Sequence, residues 1–158
     1  MRTLWGALLW SFFLLLALRL HGEEEKKRLA EYKGLYRLVQ HVKSALLQAP
    51  LPLCDVYERF FDDALGRAGF LPLLREKGLS AALSSGVLSL DREELLPFKE
   101  YAEALGTRLY TEELRETEAL LQAAGQTAEA KEAALPMRRR LGGTLFFSGG
   151  MLVLLLIL

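Results

Sequence analysis

The side chains that most often carry chemistry are few in this sequence and widely spaced. The two histidines are His21 and His41, and the single cysteine is Cys54. Zinc proteases, phosphate loops and serine hydrolases each need a local motif, but H-E-x-x-H, G-x-x-x-x-G-K-[ST] and G-x-S-x-G do not occur. The sequence therefore predicts no catalytic residue, no metal ligand and no cofactor, and we expect a protein that is not an enzyme.

The neighbouring carboxylates Asp62 and Asp63 come closest to an acid/base pair. If both lie on a helix, their side chains point about 100° apart and do not converge on one substrate atom. We expect both to be solvated surface residues. Cys54 lacks a nearby histidine and is expected to be a small core residue near a helix start. Because it has no intrachain cysteine partner, it fits a reducing compartment.

Four glycines near the end of the chain suggest another use, the close packing of membrane helices. Gly142 and Gly149 are seven residues apart, as are Gly143 and Gly150, so each pair lies on one helix face. Small residues let a second membrane helix approach closely. These four glycines are therefore candidates for helix–helix packing, and glycine tolerated without a packing partner is the alternative.

The glycines belong to one of two end segments that carry no charge. Residues 3–18 and residues 141–158 contain no ionisable side chain. Eighteen helical residues extend about 27 Å, close to the ~30 Å hydrocarbon core of a bilayer. We expect transmembrane helices at residues 3–20 and 141–158, around a domain at residues 21–137. The alternatives are a cleaved signal peptide for the first segment and a buried core helix for the second.

Basic residues beside these segments predict their orientation, since Lys and Arg concentrate on the cytoplasmic side of membrane helices. Arg19 lies at the inner end of the first segment, and Arg138, Arg139 and Arg140 precede the second. We expect these four arginines to mark where the chain enters the membrane and to keep the domain between them in the cytoplasm. Binding of anionic lipid by residues 138–140 is a secondary alternative.

Apolar residues at three- and four-residue steps predict that the middle of the chain is helical. A first helix is expected over residues 23–49 and stops before Pro50 and Pro52, because proline removes a backbone donor. A second is expected over residues 53–68, with Gly69 as its stop. Its expected inward side chains are Val56, Phe60, Phe61, Ala64 and Leu65.

Residues 70–90 have the weakest helical pattern of the middle region. Leucines recur there at helical spacing, but Pro72 and Gly78 interrupt the run. One or two short helices are expected, followed by a loop around residues 84–86.

Two further helices are expected in the rest of the middle region. Asp91 and Glu94 have the spacing of a capping box, which predicts a helix start, and Gly106 is a natural stop. A last helix is expected over residues 111–135, separated by Pro136 from the final segment. Since no stretch alternates in the manner of a strand, the predicted fold class is all-α, a helical bundle with one core.

Three short motifs, together with the order of the parts, are similar to those of a known family. They are Ala49-Pro50-Leu51-Pro52, Tyr101-Ala102-Glu103-Ala104-Leu105-Gly106 and Met137-Arg138-Arg139-Arg140-Leu141-Gly142. In this arrangement the chain resembles the stage III sporulation protein AB family of endospore-forming bacteria. It departs from the family near Leu109 and Glu113, where the family usually carries Asp and Gln.

The resemblance implies a cytoplasmic helical domain similar to that of type II secretion platform proteins. It implies a non-enzymatic role in a secretion-like transenvelope complex for endospore formation, in the mother-cell membrane around the forespore. The implied partners are a cytoplasmic secretion-type ATPase, other membrane components of the complex and the lipid bilayer; no nucleic acid is expected. The alternatives are a doubly anchored membrane adaptor or regulator unrelated to sporulation, and an enzyme with an unrecognised site.

Overall fold

A computed structural model describes the backbone of residues 2–48 and 52–157 and the side chains of residues 22–48 and 52–135. All regular structure in these residues is helical, which confirms the all-α fold class. The helices are α1 (Arg2–Gln48), α2 (Leu53–Arg59), α3 (Asp63–Arg67), α4 (Phe70–Ser84), α5 (Arg92–Ala104) and α6 (Tyr110–Ile157).

Backbone contacts divide the chain into two compact units. One comprises Lys27–Glu129 and is called the core unit below; the other combines the chain up to Lys26 with the chain from Ala130 onward. The predicted membrane segments belong to the second unit, and their side chains lie outside the described residues. Among the residues whose side chains are described, 22–48 and 52–135, no helix is both long enough and apolar enough to cross a membrane.

The first and last helices are longer than their sequence patterns predict. α1 runs unbroken past residues 23–25, so these acids lie inside a helix rather than at a helix start. α6 likewise continues through Pro136, which was expected to separate two helices. A helix of 47 residues, such as α1, extends about 70 Å.

The core unit is built around α1 and α4. Tyr32 of α1 meets Phe98 of α5 edge-on, with ring centroids 5.5 Å apart. Each large apolar side chain that is fully buried contributes about 1.5–3 kcal/mol to folding. The largest apolar side chains that are almost completely buried are Leu35, Leu38, Leu65, Phe70, Leu74, Leu83 and Phe98.

The single helix predicted over residues 53–68 is wrong, because the chain breaks between α2 and α3. Phe60 and Asp62 both have extended backbone conformations. The Asp62 carboxylate accepts hydrogen bonds from the backbone N–H groups of Ala64 at 3.0 Å and Leu65 at 3.1 Å, which starts α3 afresh. Phe61, predicted to point inward, is consequently 73% exposed.

The remaining helix boundaries follow the sequence signals. Gly78 bends α4 with a φ of 80°, and Pro72 lies in its first turn, where a missing N–H group is tolerated. The capping box at the start of α5 is confirmed: the Asp91 N–H group donates to Glu94 Oε2 at 2.9 Å. Gly106 follows the end of α5 with a φ of 84°, which favours glycine.

Candidate interaction site

A surface groove of about 890 Å³ lies in the core unit. One face of α1, between Tyr36 and Leu47, forms its longest wall. The end of α2 and the turn after it form a second wall, and α6 contributes a third side. The lining residues are Tyr36, Arg37, Gln40, His41, Lys43, Ser44, Leu47, Arg59, Phe60, Phe61, Leu121 and Gln122.

Hydrogen bonds hold the turn after α2 against α1 and α4. The imidazole Nε2 of His41 lies 3.1 Å from the backbone oxygen of Val56, and the His41 ring is 5.5 Å from that of Phe60. From α4, the Arg75 guanidinium donates to the backbone oxygen of Phe60 at 3.2 Å. The turn that presents Phe61 is therefore fixed from both sides.

The cationic side chains of the groove are Arg37, Lys43 and Arg59, and no carboxylate lies among its described lining residues. Arg37 donates from Nε to the Asp62 carboxylate at 2.8 Å, and Lys43 Nζ lies 2.9 Å from Glu118. Arg59 is exposed and has no ion pair within the described part of the chain. The groove thus keeps one uncompensated positive charge beside two neutralised ones.

Exposed apolar side chains lie in and beside this groove. Phe61 and Leu47 both line it and are more than half exposed. Next to Leu47, the Tyr110 hydroxyl donates to the backbone oxygen of Leu46 at 3.1 Å, which joins the start of α6 to the end of α1. Exposed aromatic and aliphatic side chains beside cations are typical of protein-binding surfaces.

Asp62 was predicted to be a solvated surface residue, and this prediction is wrong, because its side chain is buried beside the groove. Its side chain is 4% exposed and contacts Arg37 while it caps α3. Asp63 is exposed, as expected. Cys54, predicted to be a core residue, lies near the start of α2 but is exposed.

Two carboxylates elsewhere in the core unit are buried, which the sequence did not predict. Glu31 is 1% exposed and accepts a hydrogen bond from the Ser89 N–H group at 2.6 Å, which ties the loop before α5 to α1. Its spacing from Leu35 and Leu38 on the buried stripe of α1 is the signal that could have revealed it. Glu113 of α6 accepts from the Gly106 N–H group at 3.3 Å, but its second oxygen, Oε1, is buried without a hydrogen-bond partner.

Buried tyrosines accompany these groups. The Tyr101 hydroxyl lies 3.0 Å from Thr117 Oγ1, and Thr117 in turn donates to the backbone oxygen of Glu113 at 2.7 Å. Burial raises the pKa of Tyr101 to about 12 and also raises the pKa of Tyr57. The pKa of Arg28 is raised mainly by its hydrogen bond to Asp91. The two tyrosines are buried in the core, and neither they nor Arg28 line the groove.

The membrane-associated residues predicted from sequence lie outside the residues whose side chains are described. The backbone at each of these positions is helical. Their predicted roles in membrane topology and helix packing therefore stay predictions. They are Arg19, Arg138, Arg139, Arg140, Gly142, Gly143, Gly149 and Gly150.

Comparison with protein-family models, curated proteins and solved structures finds no match to this chain. The described residues thus define an all-α fold whose core unit has a groove lined by cationic and aromatic side chains. Its relation to the sporulation family remains the resemblance carried by the three motifs.

Proposed function

We propose that this chain is a non-enzymatic platform, anchored in a membrane by both ends, which docks a cytoplasmic ATPase of a secretion-like complex. One observation carries the proposal. α1 and α6 are each continuous helices that run from the core unit through a segment without charged side chains, residues 3–18 for α1 and residues 141–157 for α6.

Continuous helices suit this role because a helix satisfies its own backbone hydrogen bonds, as lipid requires. The 47 residues of α1 and the 48 residues of α6 each exceed the roughly 20 needed to cross a bilayer. A helix of this length can therefore cross a membrane and still supply a wall of the core unit. Arg19 and the arginines at residues 138–140 would then lie at the cytoplasmic surface.

The finer part of the proposal rests on the family resemblance. By that resemblance the core unit is similar to the cytoplasmic domain of type II secretion platform proteins, and the complex acts in endospore formation. The membrane would be that of the mother cell around the forespore. The groove of the core unit offers exposed Phe61 and Arg59 for contacts with other proteins.

Co-purification tests the platform role. The full chain, tagged and extracted in mild detergent, is expected to recover the secretion-type ATPase encoded in the same genome. The matched control is an unrelated membrane protein with the same tag and expression level. Absence of the ATPase, even after cross-linking in intact sporulating cells, would contradict the proposal.

Deletion of the gene separates the platform from the adaptor alternative. A strain without the chain is expected to stop during spore development, and a plasmid copy should restore spores. Normal spore yield in the deletion strain would instead favour a membrane adaptor or regulator unrelated to sporulation.

A further inference from the structure

The exposed face of α5 is acidic, whereas the charged side chains that line the groove are basic. Glu93, Leu96, Glu100 and Glu103 are all exposed. On a helix these positions lie within an arc of about 80°, so they form one stripe. Leu96 is 50% exposed in the middle of it, and the only cations that border the stripe on α5 are Arg92 and Lys99. We call these four residues the α5 stripe.

The groove and the α5 stripe complement each other in charge and in apolar content. The groove offers Phe61 as an exposed apolar surface and Arg59 as a cation without an ion pair in the described chain. The α5 stripe offers one exposed leucine between three carboxylates. An apolar contact surrounded by opposite charges is the usual anatomy of a specific protein interface.

We propose that the groove binds the α5 stripe of a second copy of this chain. Leu96 of one copy covers Phe61 of the other, and the glutamates of the stripe face Arg59. The formal net charge of the chain is zero, so long-range repulsion between copies does not oppose the contact. The proposal rests on the groove and the α5 stripe and not on the proposed function, and any other protein that contacts Phe61 and Arg59 would compete with the second copy.

Two copies can make this contact twice, in a closed two-fold dimer, if the groove and the stripe of one copy can both reach the other. Otherwise the contact is heterologous, and each pair keeps one free groove and one free stripe to which further copies can add. Such contacts close into a ring if the rotation between copies permits it and otherwise continue as a row.

Charge reversal tests the contact in the full chain extracted in detergent. Sedimentation velocity over a series of concentrations is expected to show self-association of the parent chain. Arg59→Glu and Glu100→Arg should each weaken it about tenfold, because each places like charges together. The double variant carries both reversals in every copy and should recover association to within about threefold of the parent.

Lys77→Glu on α4 is the matched control, since Lys77 is exposed and belongs to neither surface. It should associate like the parent, and circular dichroism should show the same helix content and melting temperature for all variants. A parent chain that stays monomeric overturns the proposal. So does a double variant that associates no better than the single ones.

Cysteine cross-linking tests which two surfaces are in contact and does not depend on charge reversal. With Cys54 replaced by Ser, chains with Arg59→Cys and chains with Glu100→Cys are mixed and treated with a short bifunctional maleimide. A cross-linked dimer is expected only in the mixture. Cross-linking of Arg59→Cys chains alone would show groove facing groove and would overturn the proposal.

Discussion

At the scale of single residues, Asp62 has the clearest structural role. Its carboxylate caps α3 and pairs with Arg37 of α1, so it joins the groove's turn to the groove's longest wall. Asp62→Ala should lower the free energy of unfolding by about 2–3 kcal/mol, from the lost cap and the lost charged hydrogen bond. Urea unfolding of the detergent-extracted chain, followed by circular dichroism, measures this change.

Asp62→Asn is the matched control, because asparagine caps helices as well as aspartate does. It should lower the free energy of unfolding by only about 1 kcal/mol, for the loss of the charge that faces Arg37. Equal losses for the two variants would mean that the cap contributes nothing.

A second residue-scale prediction concerns the unpaired oxygen of Glu113. A buried acceptor without a partner costs about 1–3 kcal/mol, and Glu113 is 4% exposed with Oε1 in that state. Glu113→Gln keeps a carbonyl for the Gly106 N–H group and puts a neutral NH2 group where Oε1 lies. A neutral buried group without a partner costs less than a charged one. We expect the free energy of unfolding to rise by about 1 kcal/mol.

The control is Glu113→Ala, which loses both the packing and the hydrogen bond to Gly106. This variant should be less stable than the parent in the same urea titration. If Glu113→Gln is also less stable, the carboxylate charge itself stabilises the core unit. Gln is also the residue that the resembled family usually carries near this position.

The buried side chain of Tyr101 predicts a loss of stability at alkaline pH. Burial raises the pKa of Tyr101 from its ordinary value of 10.0 to about 12 in the folded chain. The unfolded chain therefore loses the proton first, and stability that is present below pH 10 is lost as the pH rises toward about 12. In Tyr101→Phe the melting temperature should fall less steeply over this range, although the variant is less stable at neutral pH because it lacks the hydrogen bond to Thr117.

Identical slopes for Tyr101→Phe and the parent would contradict the role given to burial of Tyr101.

At the scale of helices, the approach of α3 to α1 depends on Gly34. A Cβ atom at Gly34 would lie 2.8 Å from Leu65 Cγ and 2.9 Å from Asp62 Oδ1, so the helices would have to separate. Gly34→Ala should lower the free energy of unfolding by about 1–3 kcal/mol. It should also disturb the groove, because Asp62 would shift away from Arg37.

Gly66→Ala, within α3, is the matched control for the same substitution. Its Cβ atom would meet Leu71 Cδ1 at 3.6 Å, which is an ordinary contact. Alanine is the better helix former, so this variant should gain up to about 1 kcal/mol. The two variants are compared by urea unfolding, and equal effects would mean that Gly34 is not a contact point.

Local signals predict most helix boundaries but not the site. The capping box at Asp91 and the left-handed Gly106 depend on neighbours within a few residues, so the sequence reveals them. The break before Asp62 combines the local cap of α3 with a contact to Arg37, which lies 25 residues away. Phe60, Phe61 and Leu65 alone fit an unbroken helix. The groove escapes prediction for the same reason, since its walls come from distant parts of the chain.

At the scale of the whole molecule, the proposed function depends on where the core unit lies relative to a membrane. It requires the two segments without charged residues, 3–18 and 141–158, to anchor the chain from the same side. Docking of a cytoplasmic ATPase requires the core unit to face the cytoplasm. An outward-facing core unit would remove the basis of the proposed function while it left the fold unchanged.

Labelling of one introduced cysteine tests this orientation most directly. Ser85 is exposed at the end of α4, and Cys54, also exposed, is the single natural cysteine. Chains with Cys54→Ser and Ser85→Cys are treated with a membrane-impermeant maleimide, in intact cells and after permeabilisation. If the core unit is cytoplasmic, as proposed, Ser85→Cys is labelled only after permeabilisation. Equal labelling of intact cells would contradict a cytoplasmic core unit.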